Sequence, residues 1–422
     1  MSTFRKNTSW IFLGNIIHAV LQFALNVYCA NRFGALDYGI LNYGISLIAI
    51  LTAVGTFGFN GVITKFFAQD EENAGKYLGT TIIVRIIFSL FSILFLQFVI
   101  LFDEAYDKRL SIIILCQSIQ ILFGVADLFV YWFRYKNQAK EVAILRLLAF
   151  FFSAAWRFIA IYYNSLECYT LGVSIEFGVF SLFLYKMYKG EYNEKRLVFE
   201  KQTLYQVLKE SYPFIFSALM VTVYGQTDKI MLKEMLGFSS VGLYSVSLIL
   251  AGAISIVPSA LIEGFRPEIM KLKQNNEVIY QYRLKQLFGL VFWISVCYCF
   301  FITIFSKDIL LLFYGEQYVN AANSLAVVVW YTSFSFFGAV NNLYMVAEKK
   351  TFWVQIVTFV GAMLNVILNF ILIPYFGVLG AALASLITQI IANYLLLYLI
   401  KPLRPCFYFL NQGIILSWIY RK

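Results

Sequence analysis

Two arginines, Arg146 and Arg157, stand inside the apolar stretch LRLLAFFFSAAWRFIAIYY, residues 145–163. Eleven steps along a helix return them to nearly the same face, roughly 16 Å apart along its axis. An arginine at mid-bilayer costs at least about 2.5 kcal/mol, so such residues face a wet or polar interior and are functional candidates by default. Their planar guanidiniums are fixed cations that grip oxyanions through paired hydrogen bonds. A third arginine, Arg85, lies deep in TIIVRIIFSLFSIL (81–94). The same half of the chain carries two acids in apolar surroundings, Asp127 and Glu176, and the lone histidine, His18. Glu176 stands near the middle of its segment and is the deepest acid. Asn15, His18, Gln22 and Asn26 follow at helical spacing and form a polar stripe along one face. In the second half, Asp228 and Lys229 are adjacent charges at the end of another apolar segment.

The elements that position these residues are transmembrane helices. Hydrophobic residues make up 61% of the chain, charged residues 13%, and mean hydropathy is +0.74. Soluble domains carry about 25% charged residues, so the chain reads as an integral membrane protein. Twelve segments of spanning length are expected, near 9–31, 40–62, 77–102, 110–133, 142–163, 166–187, 211–232, 241–262, 284–305, 318–345, 352–373 and 377–400. Arg5 and Lys6 precede an apolar run too long for a cleavable signal. With the N-terminus inside, most of the 33 Lys and Arg gather in alternate, inner connections. The net charge of +10 is therefore loop bias and does not point to nucleic acid. Both termini are expected in the cytoplasm. The tail FYFLNQGIILSWIY (407–420) is too short to span and is expected at the interface.

The chain also repeats itself. FGALDYGILNYGISL from Phe33 matches LGFSSVGLYSVSL from Leu236, aligning Gly34 with Gly237 and Gly39 with Gly242. FGVADLFVYWF from Phe123 matches FGAVNNLYMVA from Phe337. Six segments separate the partners, so the repeat is parallel, as in two-lobed transporters. The expected division is a six-helix lobe with its cytoplasmic linker over 1–205 and a second six-helix lobe with a short interfacial tail over 206–422.

Three blocks carry a resemblance: QTDKIMLKEMLGFSSVGLYSVSLIL (226–250), LLFYGEQYVNAANSLAVV (311–328) and LNVILNFILIPYFGVLGAALASLITQ (364–389). In order and spacing the chain resembles, from its first helix to about residue 400, the polysaccharide-transporter or O-antigen (Wzx-type) flippase family of the multidrug/oligosaccharidyl-lipid/polysaccharide exporter superfamily. The resemblance implies a V-shaped, alternating-access bundle in the bacterial inner membrane. It also implies movement of an undecaprenyl-diphosphate-linked oligosaccharide from the inner to the outer leaflet, for O-antigen, capsule or exopolysaccharide, beside a polysaccharide polymerase and chain-length proteins. Lipid II flippases of this superfamily carry fourteen helices, two more than expected here.

A diphosphate crossing hydrocarbon needs fixed cations. The expected cargo-binding residues are therefore Arg157, Arg85 and Arg146, with His18, Gln22 and Asn26 along the sugar path. Glu176, Asp127, Asp228 and Lys229 are the candidates for coupling to a proton or sodium gradient. Structural readings stand beside these: Arg146 could snorkel to headgroups, Glu176 or Asp127 could neutralise an arginine, the polar stripe could join helices, and Asp228–Lys229 could clasp them. No cofactor or metal is expected, because one histidine and cysteines without a C-x-x-C pair leave no ligand cluster. The absence of a G-x-x-x-x-G-K-[ST] loop excludes ATP-driven transport through this chain, and no enzyme activity is expected. Two rivals remain. A membrane polysaccharide polymerase would need a large outer loop, and a drug-type exporter of the same fold would favour cationic cargo over buried arginines.

Overall fold

The computed structural model describes residues 2–56, 58–59, 62–102, 108–192 and 196–415, with side chains at 2–13, 15, 101–102, 213–214 and 216–217 left aside. The described secondary structure is helical, without strands. Ten helices among the described residues are long and apolar enough to cross a membrane. Where their residues are described, the twelve segments read from the sequence lie largely on helices. The first two are joined in a single helix bent at Gly34, and residues 211–232 lie in a helix outside those ten. Outward rows such as Phe91, Leu94, Phe95 and Phe98 are more than half exposed. In water such a surface would drive association. The protein is a multi-pass membrane protein.

The chain divides into two compact units, Met1–Thr222 and Val223–Lys422. The first holds α1 (Ser2–Gly55), α2 (Ile63–Gln69), α3 (Ala74–Phe102), α4 (Lys108–Phe123), α5 (Asp127–Tyr135), α6 (Ala139–Tyr162), α7 (Leu166–Glu191) and the start of α8 (Lys201–Leu236). The second takes the rest of α8, then α9 (Phe238–Gly252), α10 (Ile256–Asn275), α11 (Glu277–Ile304), α12 (Ser306–Tyr314), α13 (Ala322–Ala347), α14 (Thr351–Phe376), α15 (Val378–Ile390), α16 (Leu396–Leu399) and α17 (Arg404–Ile414).

In the first unit, a tight α6–α7 hairpin faces the two helices that matter most. Asn164 turns the chain in the left-handed region (φ 53°), and Ser165 caps α7 by accepting from the Cys168 amide at 3.2 Å. Helices α1, α4 and α7 are tied at one end by Arg109. It donates two bonds of 3.0 Å to Asp37 on α1 and one of 2.8 Å to Glu167 on α7. Farther along, Gln117 of α4 donates to the Leu41 carbonyl of α1 (3.1 Å), and Ser174 of α7 to the Cys116 carbonyl of α4 (2.6 Å). These bonds cross between helices where no water competes. At the other end the core is aromatic, with Phe67, Phe129, Trp132 and Phe133 buried together. In the second unit α17 packs on α11, burying Cys406 and Leu410 in the core of that unit. Residues 416–422 lie outside the described residues.

Gly34 (φ 79°, ψ 173°) and Gly237 (φ 87°, ψ 178°) share one conformation, and they are the positions the sequence repeat aligns. That region of backbone space is essentially glycine-only and costs about 1–3 kcal/mol for other residues. Gly34→Ala and Gly237→Ala are each expected to lower unfolding stability by about that amount, measured by denaturant titration of the purified protein in detergent.

Residues 196–200 lie along α3: the Val198 amide donates to the Gly75 carbonyl (3.3 Å), and the Glu200 amide to Thr80 Oγ1 (3.0 Å). The hydroxyl of Thr203 and then the ammonium of Lys76 hold the Glu200 carboxyl below its usual range. A depressed carboxyl stabilises the folded chain above its ordinary value, about 4.3, and the contribution is lost as pH falls through the depressed value. Hydrogen-exchange protection at Val198 and Glu200, corrected for intrinsic rates, is expected to be flat above that range and to fall below it.

Candidate functional site

Four helices of the first unit enclose a cavity of about 520 Å³. Helix α1 contributes His18, Gln22 and Ile45, and α4 contributes Gln120. Arg146, Ala149 and Arg157 come from α6, and Val173, Glu176, Phe177 and Phe180 from α7. The two arginines of the opening motif thus share one cavity, as their common helix face predicts. Their surroundings differ sharply.

Arg157 is 2% exposed and fully engaged on one edge. Its Nη2 donates to Glu176 Oε2 at 2.8 Å and its Nη1 to Gln22 Oε1 at 3.1 Å. His18 Nε2 lies 3.4 Å from the other Glu176 oxygen, and its ring packs edge-on against Phe150. Gln22 in turn reaches Asn26 Oδ1 at 3.4 Å. The guanidinium lies 6.0 Å over the Tyr169 ring, within reach of a cation–π attraction. The Nε of Arg157 is buried without a partner among the described residues. Arg146 is exposed to the cavity. Its guanidinium sits 5.2 Å over Phe180, and among the described residues it forms no ion pair. One cavity therefore holds one arginine in an ion pair and one without an ion pair among the described residues.

Gly172 explains how Arg157 fits. A Cβ at that position would come within 2.4 Å of Arg157 Cγ and 3.0 Å of Nε. The Gly172 carbonyl is held by Ser153 Oγ at 2.7 Å.

Not every candidate joins this cavity. Arg85 is 4% exposed and lies outside the lining; its Nη2 reaches the Gly124 carbonyl at 3.3 Å, and its Nη1 has no partner among the described residues. Asp127, half-buried at the start of α5, feels Arg146, Arg85 and Arg134 as its main cations and is also outside the lining. Asn26 touches the site only through Gln22. The side chain of Asn15 falls outside the described residues.

In the second unit, Asp228 is 8% exposed and its partners are neutral. Tyr244 of α9 and Ser385 of α15 donate hydroxyls at 2.5 Å, and Asn369 of α14 donates its amide at 2.6 Å. Asn369 also donates to Asn365 Oδ1 (3.1 Å), while its own Oδ1 and the Thr388 hydroxyl lack partners among the described residues. Lys229 points instead to Gln226 Oε1 at 3.3 Å. Sequence reasoning picked Asp228 but missed Tyr244, Asn365, Asn369 and Ser385. An i, i+4 asparagine pair in an apolar helix was the available signal, the same pattern as the stripe on α1. Gln120, Tyr169 and Gly172 were also missed in the first unit.

A family model for polysaccharide biosynthesis proteins matches residues 4–263, more than half of the chain. The chain belongs to that family. It is similar to a probable low-salt glycan biosynthesis flippase of Haloferax volcanii, at 23% identity over 89% of this chain and 79% of that protein. It is also similar to a capsular polysaccharide biosynthesis protein of Staphylococcus aureus, at 19% identity over 92% and 96%. A 26% identical match to an uncharacterized membrane protein of Methanocaldococcus jannaschii spans 52% of that protein. Among solved structures, the fold is that of a lipid II flippase in an inward closed conformation (TM-score 0.73, 16% identity, 97% of this chain and 91% of that one). An inward-facing multidrug resistance MATE family transporter shares it too (TM-score 0.67, 12% identity, 94% and 96%).

Because the stem of Arg157 has no free space, Gly172→Ala is expected to push its guanidinium away from Glu176 and Gln22. Overpacking of this kind costs about 1–3 kcal/mol. A double-mutant cycle with Glu176→Gln, read by thermal unfolding in detergent, is expected to show that the two losses are not additive.

Proposed function

We propose that this membrane protein is a flippase that carries a lipid-linked oligosaccharide from the cytoplasmic to the outer leaflet for surface polysaccharide assembly. The observation that carries the reading is Arg146. It is a guanidinium without an ion pair among the described residues, inside a cavity walled by membrane helices, with Arg157 on the same helix face. A phosphate-bearing linker is the group such a cation suits, while Gln22, Gln120 and His18 offer hydrogen bonds to sugar hydroxyls. The family description and the names of the Haloferax and Staphylococcus relatives support the same reading. The linker would be undecaprenyl diphosphate in the bacterial inner membrane, with the lipid tail left in the bilayer and alternation between inward- and outward-open states. A drug-type exporter of this fold would take organic cations, which Arg146 repels. A polymerase would need an outer loop large enough to carry its catalytic residues, and the connections on the expected outer side are short.

Coupling to a proton or sodium ion fits the Asp228 cluster. One buried carboxylate accepts from two hydroxyls and the Asn369 amide nitrogen, and Asn369 Oδ1 has no donor among the described residues. Hard cations take such oxygen sets, and a single carboxylate balances a single positive charge.

The test is done in cells lacking the protein, where lipid-linked repeat units are expected to accumulate on the inner leaflet. Wild type clears them. Arg146→Ala, at matched membrane levels, is expected to clear them at least about tenfold more slowly, the loss of roughly one charge-assisted contact. Repeat units that reach the outer leaflet without the protein would sink the flippase reading and favour the polymerase.

A further inference from the structure

Glu176 occupies the edge of Arg157 that an incoming phosphate needs. Its Oε2 takes Nη2 at 2.8 Å, Gln22 takes Nη1, and Nε is the one guanidinium nitrogen buried without a partner among the described residues. We propose that Glu176 is an internal substitute for the cargo's anion, displaced from Arg157 when the phosphate arrives and protonated in the act, so that anion and proton bind this cavity together. The inference rests on the reading of the cavity as the seat of the cargo's phosphate.

The argument is one of charge. With Glu176 ionised, Arg157 and Glu176 cancel, and Arg146 supplies the single net positive charge among the cavity's carboxylate and guanidinium groups. A phosphate on Arg157 would leave the Glu176 carboxylate beside a second anion, and like charges that close repel. A proton from solvent on Glu176 removes that repulsion and restores the count. The charged groups facing Glu176 are few. Helix α6 brings Arg157 and Arg146, and α1 brings His18 at 3.4 Å. Helix α4 brings the neutral Gln120, and from α5 Asp127 lies toward Arg146. Among the described residues that line the cavity, His18 is the one other group that could take the proton, so the test separates the two.

Linkage gives the proposal a sign. If the anion brings a proton with it, protonation must strengthen anion binding by the same factor. Exchange of an exported anion against an entering cation needs the opposite, each ligand weakening the other. The cation that drives export is therefore not traded at this cavity, and the place for it lies elsewhere in the chain.

The experiment titrates the purified full-length protein in nanodiscs with geranylgeranyl methyl phosphate. This diester keeps a constant single negative charge across the pH range in which histidine titrates. Calorimetry in two buffers of different ionisation enthalpy counts the protons. Wild type is expected to take up about one proton per anion bound, with affinity falling about tenfold per pH unit at the alkaline end. Glu176→Gln is expected to bind with no proton uptake and no pH slope, at least as tightly as wild type at its best. His18→Gln is expected to keep the slope. A slope that survives Glu176→Gln, disappears in His18→Gln, or is absent in wild type overturns the proposal while leaving the cargo reading intact. No binding by wild type, or binding indifferent to both Arg146→Ala and Arg157→Ala, overturns the cargo reading and this proposal with it.

Discussion

The first unit is organised around a constraint of solvation. A guanidinium buried to 2% exposure among membrane helices cannot stand alone, because removing one partner of such a pair costs about 3–5 kcal/mol. Arg157 therefore dictates much of what surrounds it. Glu176 must come from α7, Gln22 from α1, and a glycine must sit at 172 so that the stem can pass. The turn at Asn164 and the Ser165 cap set α6 against α7 in the register that brings 157 and 176 together. Arg109 and Gln117 then tie α1 and α4 into the same frame. The contacts of Arg157 thus join three of the four walls of the cavity.

The second unit meets the same constraint differently. Asp228 accepts hydrogen bonds from neutral donors on three helices, and among the described residues it forms no ion pair. A carboxylate held by hydroxyls and amides keeps its charge available to a mobile cation, whereas one locked to arginine does not. The two units place their buried acids in opposite electrostatic settings, one paired and one unpaired.

Much of this was legible in the chain. The spacing of Arg146 and Arg157 is a one-dimensional property of one helix, and it correctly puts both on a common cavity. The polar stripe on α1 likewise brought His18 and Gln22 to the site. What spacing cannot encode is which cation a given acid meets, since that depends on packing between helices distant in sequence. Glu176 met Arg157, and so the arginine left without an ion pair among the described residues was Arg146. Arg85 and Asp127 are equally apolar in their surroundings, yet they fall outside the lining because their rotation about α3 and α5 is fixed by neighbours the sequence does not name. Asn365 and Asn369 were overlooked for a simpler reason: uncharged polar residues give a weak signal in an apolar run. The segment 211–232, by contrast, lies on a helix but falls outside the ten that satisfy length and composition.

Gly172 carries one more implication. Its missing side chain and the stem of Arg157 occupy a single volume, so the two positions behave as one unit of inheritance. A related chain that loses the arginine leaves a void which alanine or serine at 172 would fill, while one that keeps it has no tolerated alternative to glycine. Positions 157 and 172 should drift together through the family, and a relative bearing arginine without glycine must have rebuilt the hairpin to make room.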